Sequence, residues 1–493
     1  MTHRRSLPSP TLQGRSLHRR TSTALLVLAA LSACAAEPST TPVAELEFEV
    51  PERFASASDP TSAPSGALVG PWWREFGDER LAQLVDRALA DNRDLRAELA
   101  RLEATAAART IAGAPFWPEL DAGLSAQRQR RVFIGFPFGG GGVPSTTFTT
   151  YGLTLSAQWE LDVWGRIRAG ESASIADQQV ALADFTGAQA SLCAQVCKAW
   201  FLAIEARQQV DLANATVAAF RATADDVRAR FRRGVRPALD VHLAATNLAN
   251  AEAALAQRQD QLQRARRQLD VLVGRYPTGD LDAGDTLPVR MPQVPVGLPS
   301  ELLQRRPDLI AAERKVAAAG CRVDAARAAL YPRLSLTASA GTSSLELEDL
   351  VDDDFRVWSL GANLLEPLFR AGALKAEVDR QRALREAALA DYGGKVLRAF
   401  AEVEDVLTTG SRIDERAAQL TAAARHAADA RDLARTRYQG GLTDFLTVAD
   451  TQRQAFTAES ARLAVERARL ENRIDLHLAL GGGFGQAATG ETP

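Results

Sequence analysis

Cysteines, histidines and a glycine run are the residues whose types and spacing could do chemistry in this chain. Cys193 and Cys197 stand four apart, on one face of any helix, where two thiolates could hold a soft metal. No further ligand lies near them in sequence. Cys321 is distant, and His242, His426 and His477 lack the His-Glu-x-x-His spacing of a zinc hydrolase. No Gly-x-Ser-x-Gly nucleophile elbow occurs. Gly139–Gly142 suggests a phosphate loop, but no Gly-Lys-Ser/Thr follows and the flanks alternate as strands do, so a hairpin loop is the better reading. The expectation is no enzyme, no metal and no cofactor, with the thiols and imidazoles serving as packing or surface groups.

Cys34 reads differently. Arg19 and Arg20 precede the apolar run Ala24–Leu31, too short to span a bilayer but with the flanks of a secretory signal. Leu31-Ser32-Ala33-Cys34 at its end resembles the bacterial lipobox, in which the cysteine becomes the lipidated first residue of the mature chain. Ala35 after it favours sorting to the outer membrane. A single acyl chain holds weakly, so several chains or another membrane element are required. The Pro-containing first 20 residues also make a later translation start conceivable. Basic residues number 58 and acidic ones 61 in 493, for a net charge of −3. A nucleic-acid binder would be basic.

The positioning elements appear twice. Ala114-Pro-Phe-Trp-Pro-Glu-Leu120 recurs as Ala328-Ala-Leu-Tyr-Pro-Arg-Leu334, Asn92–Leu95 as Arg306–Leu309, and Arg228–Val241 as Arg435–Val448. Apolar residues at heptad spacing run from Leu182 to Val227, broken by Gln189, and from Leu389 to Ala434, broken by Gly410 and Arg431. That regularity predicts coiled-coil helices, and the Leu248, Leu255, Leu262, Leu269 series predicts that the chain turns back as a second helix. A helix over 165–234 would be ~100 Å long, far beyond a bilayer's ~30 Å core. Each half also holds two segments of strict alternation: Leu120 to Ala126 and Tyr151 to Leu161, then Leu334 to Ala340 and Trp358 to Leu364. Alternation over ~9–11 residues with aromatics near an end is the signature of a transmembrane β-strand. The sequence thus divides into a signal (1–33), a Pro/Ser/Thr/Ala-rich tether (34–70), a first repeat (71–276), a Pro-rich connector (277–298), a second repeat (299–481) and a tail (482–493).

Four motifs in order, Trp159-Glu-Leu-Asp-Val-Trp-Gly-Arg-Ile-Arg168, Leu302–Glu313, Tyr331-Pro-Arg-Leu334 and Tyr438-Gln-Gly-Gly-Leu442, resemble the outer membrane factor family of TolC-like efflux channels, in particular its NodT-type lipoproteins. The resemblance covers about residues 70 to 482. It implies a mixed α and β fold, in which a homotrimer shares one twelve-stranded transmembrane β-barrel continued by an α-barrel of long antiparallel helices in the periplasm. It also implies a passive conduit docked to a periplasmic adaptor and an inner-membrane transporter, commonly of the resistance-nodulation-division type. The alternative, a structural coiled-coil lipoprotein bridging envelope layers, would not need the strands.

Within that frame Asp162, Gly165, Pro367 and Gly372 mark the strand-to-helix junctions, and Gly234, Pro237, Gly440 and Gly441 mark the turns that the resemblance puts at the periplasmic tip. It places Asp240 and Asp450 at the narrow entrance, with Arg236 and Arg437 as neighbouring donors. The halves differ here, since Leu243 stands opposite Asp450 and Thr447 opposite Asp240, which leaves one or two carboxylate rings open. Asp240 as an ordinary helix cap is the plainer alternative.

Overall fold

A computed structural model describes residues 51, 53–56, 70–133, 144–288, 294 and 299–482. The signal with Cys34, nearly all of the tether, Gly139–Gly142, part of the Pro-rich connector and the tail beyond 482 lie outside the described residues. In chain order the main elements are α1 (Glu79–Asp91), α2 (Arg93–Gly113), β1 (Glu119–Val132), β2 (Ser145–Leu161), α3 (Arg166–Arg232), α4 (Ala238–Leu272), α5 (Pro299–Arg305), α6 (Pro307–Ala328), β3 (Arg333–Ser344), β4 (Arg356–Leu365), α7 (Ala373–Gln439) and α8 (Phe445–Ala479). The repeat is thus structural as well: α3 and α7 each have 67 residues, and α4 and α8 each have 35. Two compact units form, and both halves of the chain contribute to each. One comprises residues 113–170 and 322–379, and the other takes in most of the helices.

The first unit is an antiparallel sheet in the order β1-β2-β3-β4. Its register lines up the apolar positions: Leu120, Ala157, Ala338 and Leu360 share one row, and Ala122, Leu155, Ala340 and Trp358 share another. Between them runs Asp121, Ser156, Ser339 and Ser359, where the two hydroxyls of Ser339 and Ser359 lie 2.8 Å apart. Side chains alternate across a pleated sheet, so one face is continuously apolar and the other polar. The apolar face is uncovered within the chain, with Leu155 at 53% and Leu360 at 76% exposure. β1 and β2 run to 14 and 17 residues. The apolar alternation of β1 stops at Ala126, but its ladder continues through Arg128↔Thr149 to Val132↔Ser145, because backbone pairing does not depend on the outward side chains.

In the helical unit Trp200, Phe201 and Ile204 of α3 pack with Leu269 of α4, Leu81 and Val85 of α1, and Leu470 and Ile474 of α8. Asp78 ties two of these elements together. One oxygen accepts from Arg80 N and Leu81 N at the start of α1, and the other accepts from Trp200 Nε1 at 2.8 Å. The repeat extends to close backbone contacts. Gly274 (φ +71°) lies against the Asp91 carbonyl and Gly481 (φ +98°) against the Arg305 carbonyl, so near that a Cβ would stand 2.4 and 3.0 Å from oxygen. Only glycine suits both the left-handed backbone and that approach. Asn92 Nδ2 donates to Leu272 O at 2.8 Å, and at the matching place Arg306 donates to Ala479 O at 3.1 Å.

Candidate functional site

Among the described residues no group of His, Cys, Asp and Glu is arranged to hold a metal, and no helix is long and apolar enough to cross a membrane. Cys193 and Cys197 are fully buried in the helical core. Burial, and then the Asp86 charge, push the Cys193 thiol up to about 12, and burial raises Cys197 as well, the reverse of what a metal ligand or nucleophile needs. His477 is also buried and stacks on Trp72 with ring centroids 4.9 Å apart. Neither of its nitrogens has a hydrogen-bond partner among the described residues. Burial foremost, with Arg473 adding to it, lowers its pKa to about 4.

At the first junction Asp162 receives Ile167 N and Arg168 N on its two oxygens, both at 2.9 Å, and so closes the open end of α3. Gly165 (φ +74°) makes the turn between them. Arg166 forks onto Glu160 at 2.9 and 3.1 Å, and Trp164 donates Nε1 to Pro332 O while stacking on Tyr331, which connects the two halves. At the second junction Pro367 follows the end of β4, where no ladder donor is required, and Ala371 (φ +47°) and Gly372 (φ +82°) turn the chain into α7.

The two helical turns pack together at one end of the helical unit. Val227, Ala244, Tyr438, Phe445 and Val448 form a small core there. Gly234 (φ +75°) and Gly441 (φ +74°) end α3 and α7, each followed by an N–H that reaches back into the last helical turn: Val235 to Arg230 O and Leu442 to Arg437 O. Gly440 has no left-handed backbone. Pro237 occupies the position before α4 and offers no side-chain cap. Asp240 therefore does not cap the returning helix. Its backbone N–H bonds to Pro237 O, and its carboxylate lies 4.0 Å from Arg236. The capping role belongs to Asp444, which accepts from Thr447 N at 2.8 Å ahead of α8. Asp450 pairs with Arg453 at 2.7 Å, which holds its carboxyl below the usual carboxylate range, and also accepts from Gln454. Arg437, expected as a donor here, makes no ion pair among the described residues. It sits on the exposed side of the last turn of α7, while its chain neighbour Tyr438 is buried.

Tyr438 opens one of the four sequence motifs, but its place between two arginines was not foreseen. The guanidiniums of Arg230 and Arg236 lie 4.7 and 5.1 Å from its ring centre, and Arg230 also pairs with Asp226. The signal was the alignment of Tyr438 with Phe231 across the repeat: the two aromatics are equivalent in sequence, but Phe231 is 45% exposed and Tyr438 is 3%.

The sequence model of the outer membrane efflux protein family matches residues 84–275 and 298–482. The pyoverdine export outer membrane protein OpmQ of Pseudomonas aeruginosa is 33% identical over 422 residues, covering 84% of this chain and 88% of OpmQ. The toluene efflux pump outer membrane protein TtgF of Pseudomonas putida is 31% identical over 464 residues, covering 92% of this chain and 95% of TtgF. Among solved structures, the outer-membrane channel OprN superposes with a TM-score of 0.78 at 30% identity over 89% of this chain and 99% of its own. The open state of the Neisseria gonorrhoeae MtrE channel gives 0.78 at 30% over 89% and 97%.

Proposed function

The chain belongs to the outer membrane efflux protein family, and from that premise we propose that three copies close one twelve-stranded barrel, anchored in addition by lipid on Cys34. The chain is an outer membrane channel of the efflux kind. In the proposed assembly it is a passive conduit, fed by a periplasmic adaptor and an inner-membrane transporter of the resistance-nodulation-division type. The observation that carries this is the four-stranded sheet, with β1 and β4 each paired on one side and an uncovered apolar face. In lipid each unpaired backbone group costs several kcal/mol, and single-chain barrels begin at eight strands, so copies must share the ladder. A coiled-coil bridging protein would have no use for such a sheet. The naming of similar relatives for pyoverdine in one case and toluene in another supports a conduit that leaves selection to its pump.

The strand-to-helix residues Asp162, Gly165, Pro367 and Gly372 hold the proposed change of direction, and Asp240 and Asp450 line the proposed entrance. Beside them Val235 and Leu239 on one hairpin, and Leu442 and Leu446 at the matching places on the other, are exposed leucine-sized side chains suited to an adaptor. Purification in detergent, mass determination and single-channel recording test the proposal together. A trimer with an acylated Cys34 and a steady conductance is expected. A monomer without conductance would refute the shared barrel, and an unmodified N-terminus would refute the lipid.

A further inference from the structure

The two free edges of the sheet carry opposite charge at the same end. β1 runs eight residues past its partner row for the start of β4 and bears Arg128, Arg130 and Arg131 there, while the turn entering β4 contains Asp352, Asp353 and Asp354 with Glu348 and Asp349 behind them. The acidic turn is held in place: Thr342 Oγ1 donates to Leu350 O, Ser344 Oγ to Glu346 O, and Asp352 accepts from Asp354 N at 3.1 Å. Within the chain Arg130 reaches Ser145, Arg131 lies over Phe148, and Arg356 pairs with Asp353. Neither Arg128, Arg130 nor Arg131 meets an acid within the chain among the described residues.

We propose that β1 of one copy pairs with β4 of the next so that Arg130 and Arg131 lie alongside the neighbour's Asp352–Asp354 turn, an inter-subunit charge seam at the outer end of the barrel. This rests on the three-copy reading above. The register follows from barrel geometry. Strands tilt about 35–45° from the axis, and with ~4.8 Å between strands and ~3.3 Å per residue a twelve-stranded barrel shifts by roughly 12–18 residues per circuit, about four to six per copy. Within one sheet Arg356 shares the row of Leu124, and continuing that row without a shift would set Leu365 against Pro115, before β1 begins. The shift therefore runs toward higher numbers in β1. A shift of four sets Leu365 against Glu119, the first residue of β1, and brings Arg130 and Arg131 beside Asp354 and Asp353. That shift also sets Arg128 against Arg356, which already pairs with Asp353, but a shift of six would set Arg130 against Arg356 and leave no arginine opposite Asp353 or Asp354, so charge selects four.

The test uses the full-length chain in detergent and in vesicles containing anionic lipid. Arg130→Cys with Asp354→Cys should give covalent multimers under mild oxidation, and Arg130→Cys with Ser359→Cys should not. Arg130→Asp with Arg131→Asp should dissociate the trimer at a lower temperature, and adding Asp353→Arg with Asp354→Arg should restore it. A wild-type chain that forms a trimer, with no cross-link in the Arg130→Cys, Asp354→Cys variant and no rescue by loop reversal, would overturn the seam while leaving the three-copy reading intact. Wild-type chain that never forms a trimer would overturn both. Loss of vesicle retention that loop reversal does not rescue would assign the arginines to lipid headgroups and overturn the seam.

Discussion

His477 is a base held in a site that offers, among the described residues, no partner for its proton. The unfolded chain takes up a proton near pH 6.5, whereas the folded chain does so only near 4, so stability falls as pH drops through that window. The loss is on the order of 3 kcal/mol by the acid end. His477→Phe keeps the stack on Trp72 and should flatten the dependence of unfolding temperature on pH between 7 and 4.5, at little or no cost at pH 7. At the turns, Asp240→Asn together with Asp450→Asn should abolish cation preference if these carboxylates line the entrance, because fixed negative charge in a constriction concentrates cations. The readout is reversal potential in a salt gradient across a planar bilayer, and unchanged selectivity would leave both as local ion pairs with Arg236 and Arg453. The acids themselves were legible in the sequence. Arg236 beside Asp240 was legible too, whereas Arg453 beside Asp450 and the cap at Asp444 were not, because Asp240 and Asp444 are each an aspartate near a helix start. The cap positions of the two returning helices are equivalent across the repeat, and one holds Pro237, which cannot cap with its side chain, while the other holds Asp444, which does.

Among the elements, the sheet offers the clearest contrast. Leu155→Arg puts charge on the apolar face and should cost ~2–4 kcal/mol near the midplane, whereas Thr154→Arg, one residue along on the polar face, should be tolerated. Urea unfolding of the protein refolded into lipid measures both, and equal sensitivity would contradict the assigned faces. Among the helices, Gly274→Ala should destabilise strongly, since its Cβ would meet the Asp91 carbonyl, while Gly187→Ala meets a Pro307 carbon at an ordinary 3.5 Å and should gain up to ~1 kcal/mol from helix propensity. Calorimetry on the two variants separates a required glycine from a tolerated one. Heptads and alternation made these elements readable because period 3.5 and period 2 each leave a face to bury. The full length of β1 was unreadable for the opposite reason: from Gln127 to Arg131 its residues are all polar, and only the ladder to β2 keeps them extended.

At the scale of the molecule the duplication was visible as recurring motifs, but the division into a sheet unit and a helical unit was not, because both halves contribute to each and a linear repeat does not say which copies pack together. The proposed lipid and the proposed barrel are separable supports, so Cys34→Ser should weaken membrane retention in fractionation while conductance per inserted channel stays unchanged. Loss of conductance would mean that the lipid is needed for assembly itself. The two thiols at the centre of the helical core offer a clock. Cys193 and Cys197 are shut away from solvent and protonated far above neutral pH, so an alkylating reagent can reach them as thiolates only when the core opens. Cys321, half-buried on α6, should be modified first, and the delay before Cys193 and Cys197 follow would time the opening of the helical unit without any engineered probe.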